Sequence, residues 1–435
     1  MQLLPEQIED ATKIASSQDL PNFSKPGTGK TFTALEAWRL TGIERGLILA
    51  PKIALSMWEE EVSKTGRSVA VIRSSVGVQA ANRDVIITSY DLAVRVQARL
   101  EDEFSPTGGV LINDESQYVR NVEAKRTQAI FGKRADLRDG LAGTFDQVWN
   151  LSGSPMKGYA NDLFTQAALM HKEAFAGVYN GTYDGFVRAF TYKKQKSYSP
   201  GMAPVWKISG NTNEGKLNKI LYGALGIPRR TEIKGLPEIT ERTLTIQVKV
   251  SGDLAKALKV AKAEDLMAAI HNKDSQINKA WRWLGLAKVD DALPYIGDCA
   301  EEGPVLLGCW HRDVMTAYHD GLSKLGYKVI QVNGATPDAA RDIIRNRFNK
   351  GDLHVLIGQM GAMGVSWNLQ ELCKHVIIAE EYPAQDVLEQ FYKRVARMGQ
   401  TKHVQVDYLH SDCWVDEALR GVRLRKAKSD MAING

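Results

Sequence analysis

Cysteine is scarce in this chain: Cys299, Cys309, Cys373 and Cys413 are the only four in 435 residues, and no two form a CxxC pair. That spacing excludes a zinc ribbon and a disulfide framework, and the thiols read as buried groups in a reducing compartment. Also missing is any run of roughly 18 apolar residues, the length a membrane span needs. The first residues, MQLLPEQIED, lack the charged start and apolar stretch of a secretion signal. A soluble, intracellular, cytoplasmic protein with no membrane partner is therefore expected. Neither sign of charge dominates, since the formal net charge is +5 with 25% charged residues, and this leans only weakly toward a polyanionic partner. No internal repeat is visible. What the chain does have is length and a 44% hydrophobic content, enough to bury two substantial cores.

Short apolar runs at residues 47–50, 85–88, 110–112 and 148–151 each end in Gly, Pro, Ser or Asp. Buried parallel strands look like this when their carboxyl ends face a ligand, and the helical patterns at 31–40 and 55–64 fall between them. A second series follows at 305–307, 329–332, 355–357, 376–379 and 404–409. Two doubly wound α/β domains with parallel sheets are expected. Between them the composition changes: aromatic and basic residues Phe190, Tyr192, Lys193, Lys194, Lys196 and Tyr198 precede a stretch rich in Gly, Ser, Pro and Asn. The expected division is a first domain over 1–175, an insertion and linker over 176–245, and a second domain over 246–435.

The chemistry begins at Pro26-Gly27-Thr28-Gly29-Lys30-Thr31. A phosphate cradle needs glycines that let backbone amides turn inward at a helix N-terminus, a lysine for the β and γ phosphates, and a hydroxyl for Mg²⁺. Gly27, Thr28, Gly29, Lys30 and Thr31 supply these parts, although Ser24 stands where the full pattern has glycine. Downstream, Val110-Leu111-Ile112-Asn113-Asp114-Glu115 is an apolar strand ending in two carboxylates. In a mononucleotide-binding fold that strand end lies beside the phosphate loop, so Asp114 is placed to hold Mg²⁺ and Glu115 to polarise an attacking water. ATP and Mg²⁺ are the expected cofactors.

With these motifs in order, the chain resembles the Swi/Snf-type branch of superfamily-two helicases and ATPases over nearly its whole length. The resemblance implies two RecA-like domains in tandem and an ATP hydrolase that moves on DNA. Asp114-Glu115-Ser116-Gln117 is similar to the DEAD or DEAH box with Gln117 in the last place, a position given a coupling role. Leu4-Pro5-Glu6-Gln7 resembles the segment whose glutamine reads adenine. Leu49-Ala50-Pro51-Lys52 and Ile87-Thr88-Ser89-Tyr90 resemble strand ends that face DNA, which nominates Lys52, Thr88 and Ser89. Leu151-Ser152-Gly153-Ser154-Pro155 is similar to motif III, so Ser152 and Ser154 are coupling candidates. Ile227-Pro228-Arg229-Arg230, followed by Leu236-Pro237, resembles the linker between lobes in this branch.

Motif VI is the clearest match, with Gln390, Arg394 and Arg397 in EQFYKRVARMGQ. The resemblance makes the two arginines, expected one helical turn apart, the groups that stabilise charge on a transferring γ-phosphate. It also adds Gly364 and Gln390 to the nucleotide set. The run from Ala362-Met363-Gly364-Val365 to Glu380-Glu381 resembles the fork-remodelling and annealing members of the branch, as a minimal phage or prokaryotic motor would. DNA without sequence specificity is the expected partner, the protein is expected as a monomer, and histone partners are not expected. Lys193, Lys194 and Lys196 are further DNA candidates, because lysines meet phosphates and aromatic faces stack on bases; a solvated loop reads equally well there. The leading function is a DNA-stimulated ATPase that translocates on or remodels branched duplex DNA. An RNA helicase and a conventional duplex-unwinding helicase stand as alternatives.

Overall fold

A computed structural model describes residues 3–75, 83–133, 139–196, 205–231, 236–261, 275–363, 367–397 and 399–435. The chain divides into two compact units, residues 1–233 together with 428–435, and residues 234–427. The last eight residues thus belong with the first unit, where Asn218 Nδ2 donates to the Ile433 carbonyl at 2.8 Å and Tyr222 OH to Asn434 Oδ1 at 2.6 Å.

The first unit is built on a five-stranded sheet in the order β2-β3-β1-β4-β5. Its strands are β1 (Gly46–Ala50), β2 (Val69–Ile72), β3 (Val85–Ser89), β4 (Val110–Asp114) and β5 (Gln147–Leu151), all parallel. Four of the five match expected strands. The fifth, β2, carries a single fully buried residue, Ile72, and so shows little of the apolar signature that marks the inner strands. Residues 22–25 extend the sheet beyond β5 through the parallel bridge Asn22↔Leu151. The sheet's faces are covered by helices, among them α1 (Pro5–Ser16) and α2 (Lys30–Thr41), whose Ala11, Ile14, Ala34 and Trp38 enter the core.

An antiparallel ribbon of β6 (Thr191–Lys196) and β7 (Val205–Asn211) follows helix Tyr183–Phe190. The second unit carries a six-stranded parallel sheet, β10-β11-β9-β12-β13-β8. Its strands are β8 (Ile239–Thr245), β9 (Val305–Cys309), β10 (Val329–Val332), β11 (Val355–Gln359), β12 (His375–Ile378) and β13 (Val404–His410). Strand β8, within the stretch read as linker, pairs with β13 at the sheet edge from Ile239↔Val404 to Thr245↔His410. Its ITERTLT sequence is largely exposed, which is why it carries no buried-strand signal. Two parallel α/β domains of the RecA-like kind are the architecture. No described helix is long and apolar enough to cross a membrane.

Candidate active site

At the carboxyl edge of the first sheet, residues 22–25 lead into the glycine loop, and α2 begins at Lys30. Gly27 and Gly29 sit at φ of 91° and 84°, where a side chain would be strained. A Cβ on Gly29 would also lie 2.3 Å from Gln7 Nε2. That amide donates to the Thr28 carbonyl at 2.9 Å, while Gln7 Oε1 accepts from the Leu4 amide, so α1 clamps the loop from outside. Lys30 Nζ turns back over the loop to the Ser24 and Lys25 carbonyls at 2.8 and 3.3 Å. Backbone amides at a helix N-terminus and an ammonium group held beside them form an anion cradle.

Strand β4 delivers Asp114 and Glu115 to the same edge. Asp114 is buried, its Oδ2 accepts from Trp58 Nε1 at 2.8 Å, and its carbonyl accepts from Tyr90 OH at 2.6 Å. Burial and then the neighbouring Glu115 charge push its carboxyl up to about 7, against the pull of the Trp58 indole and the Lys30 charge. Glu115 adopts the left-handed conformation at φ 50° and ψ 52°, a costly backbone for a non-glycine residue and one common at functional positions. Gln117 Nε2 donates to Glu115 Oε2 at 2.6 Å, and Gln117 Oε1 accepts from Ser152 Oγ at 2.7 Å. Ser152 Oγ also accepts from the Ser154 amide at 3.1 Å. Motif III then closes on the phosphate loop, because a Cβ on Gly153 would lie 2.5 Å from Pro26 Cδ.

Arg230, which the sequence marks only as part of the linker motif, ties this site together. Its guanidinium meets both Asp10 oxygens at 2.8 and 2.9 Å and Glu9 at 3.0 Å, all on α1. These bonds, Asp10 first, hold its charge more firmly than usual. The Phe23 and Lys25 amides donate to the Pro228 and Arg230 carbonyls at 2.9 Å each, and the Arg230 amide donates to Ser24 Oγ at 2.9 Å. Ser24 therefore anchors the linker from the place a strict phosphate loop gives to glycine. Nothing in the sequence around Glu9-Asp10 or around Arg230 marks this pairing.

Among the DNA candidates, Lys52 is exposed in the turn after β1, and Lys193 and Lys194 are exposed on β6. Thr88 is buried with its hydroxyl on the Ile72 carbonyl at 3.1 Å, and Ser89 is buried at the start of helix Tyr90–Arg95. Gly364, Tyr198 and the Lys196 side chain lie outside the described residues. In the second unit, helix Gln385–Tyr392 carries Gln390 but stops before the two arginines, so the expected single helical turn between them is corrected to consecutive tight turns. Arg394 is buried, and its carbonyl accepts from the Leu369 amide at 2.9 Å. Arg397 is half-buried on Asn368 Oδ1 and the Trp367 carbonyl, and burial lowers its pKa.

No family model matches the sequence. Two groups of curated proteins do. The SWI/SNF-related matrix-associated actin-dependent regulator of chromatin subfamily A-like protein 1 of Xenopus tropicalis is 25% identical over 418 residues, 90% of this chain and 41% of that protein. The DNA annealing helicase and endonuclease ZRANB3 of Homo sapiens is 22% identical over 438 residues, 94% of this chain and 38% of that protein. A solved Sulfolobus solfataricus SWI2/SNF2 ATPase core in complex with dsDNA aligns over 94% of this chain and 88% of its own, at 18% identity and a TM-score of 0.45. The chain spans about two fifths of the length of its curated relatives. With similarity across nine-tenths of its length, the chain is a distant homologue of these curated proteins over that part of their sequences.

Proposed function

We propose that this protein is an ATP-driven motor that tracks duplex DNA and remodels branched DNA. The observation that carries the reading is the wiring of the first unit. Glu115 is joined to motif III by direct bonds through Gln117 and Ser152, and motif III packs on the glycine loop at Pro26, so a change at the γ-phosphate position is felt at motif III. The donor set suits a magnesium nucleotide: Thr31 and Asp114 would hold Mg²⁺, which supplies charge neutralisation of the phosphate oxygens. Lys30 and the loop amides bind and orient the phosphates, Gln7 borders the base, and Glu115 orients water for attack. On the resemblance of motif VI, Gln390 is assigned to nucleotide binding, and Arg394 and Arg397 act on transition-state charge.

DNA is supported by the relatives, one a DNA annealing helicase and endonuclease and one a regulator of chromatin. Branch migration suits such a core energetically. Each pair broken ahead is replaced by one formed behind, whereas plain unwinding loses roughly 1.4 kcal/mol of stacking per step. The test is ATPase rate against single-stranded, duplex, forked and four-way DNA, with duplex RNA as comparator. Conversion of a mobile junction is then set against displacement on a long tailed duplex. The expected result is stimulation by duplex and branched DNA above RNA, with junction conversion exceeding displacement. Processive displacement with no junction activity would move the protein among unwinding helicases.

A further inference from the structure

The β6–β7 ribbon bears aromatic and basic side chains on both of its faces. Cross-strand partners share a face, and neighbours along a strand alternate. The register Gln195↔Trp206 and Lys193↔Ile208 puts Trp206 and Lys193 on one side. On the other side stand Lys194 and its partner Lys207, with Tyr192 opposite Gly210 past the irregularity at Tyr192/Lys193. Trp206 is 60% exposed and Tyr192 45% exposed. Tyr192 lies flat over Gly210, where a Cβ would come within 2.4 Å of its ring, and Lys194 Nζ is 5.8 Å from the ring centre.

Two features need a common cause. Residues 185–213 include Arg188, Lys193, Lys194, Lys196 and Lys207 and no acidic residue. A large indole stands in solvent on a two-stranded sheet, a structure marginal by itself. Yet the root is held tightly. Asn211 Nδ2 donates to the Gly158 carbonyl at 3.2 Å, and its Oδ1 accepts from the Ala160 amide at 2.8 Å. Thr191 Oγ1 donates to the Val187 carbonyl at 2.6 Å, and the Thr212 amide to the Phe190 carbonyl at 2.9 Å. Gly158 and Ala160 lie on the loop leaving motif III.

We propose that this ribbon is a two-faced blade for a DNA branch point, with Trp206 stacking on a base of one strand and Tyr192 on a base of the other. A surface laid along one duplex needs its cations on a single side; here each aromatic has lysine beside it, as two diverging polyanionic strands require. Aromatic rings stack on any base, so the blade needs no sequence preference. Anchorage next to motif III carries nucleotide-driven movement of that loop to the branch. The inference rests on the DNA-motor reading above.

The experiment uses the full chain with forked DNA carrying 2-aminopurine at the branch, and blunt duplex of equal length as comparator. Trp206→Ala and Tyr192→Ala should each weaken fork binding by about tenfold and the double variant by more. Duplex binding and duplex-stimulated ATPase should stay within about twofold. Wild type should change the 2-aminopurine signal, Trp206→Phe should keep that change, and Trp206→Ala should lose it. Equal losses on fork and duplex, or no loss on either, overturn the blade while leaving the motor reading intact. A wild-type ATPase that no DNA stimulates overturns the motor reading itself.

Discussion

The side-chain amide of Gln117 joins Glu115 to Ser152, donating to the carboxylate at 2.6 Å and accepting from the hydroxyl at 2.7 Å. An amide suits this place because it offers a donor to the acid and an acceptor to the serine at once. Gln117→Leu keeps the volume and removes both bonds. It should lower DNA-stimulated kcat by about tenfold or more while ATP KM moves less than about threefold. Ser152→Ala, which leaves the Gln117–Glu115 bond in place, should lose less. A Gln117→Leu enzyme with normal kcat and raised KM would remove Gln117 from the coupling path.

Lys30→Ala and Glu115→Gln should both reduce steady-state turnover to below about 1% of wild type, for opposite reasons. Lys30 covers the loop carbonyls of Ser24 and Lys25, so its loss removes a phosphate contact and should weaken nucleotide binding. Glu115→Gln preserves shape and should leave ATP bound and unhydrolysed. Fluorescent-nucleotide titration beside a single-turnover assay separates the two. Turnover of Glu115→Gln within a few fold of wild type would end its assignment as the water-orienting group.

Arg230 gives a prediction about stability. Asp10 is almost wholly buried under its guanidinium, so Arg230→Ala leaves a buried carboxylate without its cation, at a cost of about 1–3 kcal/mol. The first unit should melt lower, and ATP KM should rise, because Gln7 is on the same helix as Asp10. Adding Asp10→Asn should recover much of the loss, a coupling that a double-mutant cycle measures. Additive effects would mean that the two side chains act independently.

What could be read from the sequence divides along chain distance. The glycine loop and the acidic strand end are local patterns at strand ends, and their order along the chain places them at one sheet edge. Arg230 and Asp10 are 220 residues apart, and nothing in either segment names the other. Strand β8 is exposed along most of its length, so its place beside β13 comes from backbone pairing and from cross-strand polar contacts such as Arg242 with Asp407 and Glu241 with Tyr408, none of which leaves an apolar pattern in the sequence. The ribbon's register crosses residues 197–204 to set Trp206 against Gln195, which turns a basic-aromatic cluster into two distinct faces. Motif VI misled in one respect, since helical spacing of Arg394 and Arg397 continues past Tyr392 while the backbone turns to meet Leu369.

In the second unit, His375 Nε2 and Arg242 Nε share the buried carboxylate of Asp407, which also accepts from Tyr295. Burial opposes charge on His375, but the Asp407 and Cys299 partners override it and lift its pKa to about 9. The folded value lies above the unfolded one of about 6.5, so this stabilisation is complete below about 6.5 and is lost as pH rises through 9. Melting of the second unit should therefore fall across that window. His375→Gln should flatten the dependence and lower Tm at pH 6.5 by about 5 °C or more. An unchanged slope between pH 6.5 and 9 in the variant would assign the dependence to other groups.

Arg394 and Arg397 should part company when each is truncated. Arg394 is buried and its backbone holds Leu369, whereas Arg397 is half-buried and rests on Asn368 and Trp367 through its guanidinium. Removing a buried side chain of this size leaves a cavity, so Arg394→Ala should lower the melting temperature of the second unit along with activity. Arg397→Ala should leave melting within about 2 °C and ATP affinity within about threefold, yet reduce turnover by about 1,000-fold, as expected for a group that acts on transition-state charge. Arg397→Lys should not restore the rate, since an ammonium lacks the planar fork that meets two phosphate oxygens together. Thermal melting, nucleotide titration and DNA-stimulated turnover on the three variants decide the matter. If Arg397→Ala instead loses DNA affinity and keeps its DNA-independent turnover, this arginine serves the nucleic acid and the catalytic role falls to Arg394.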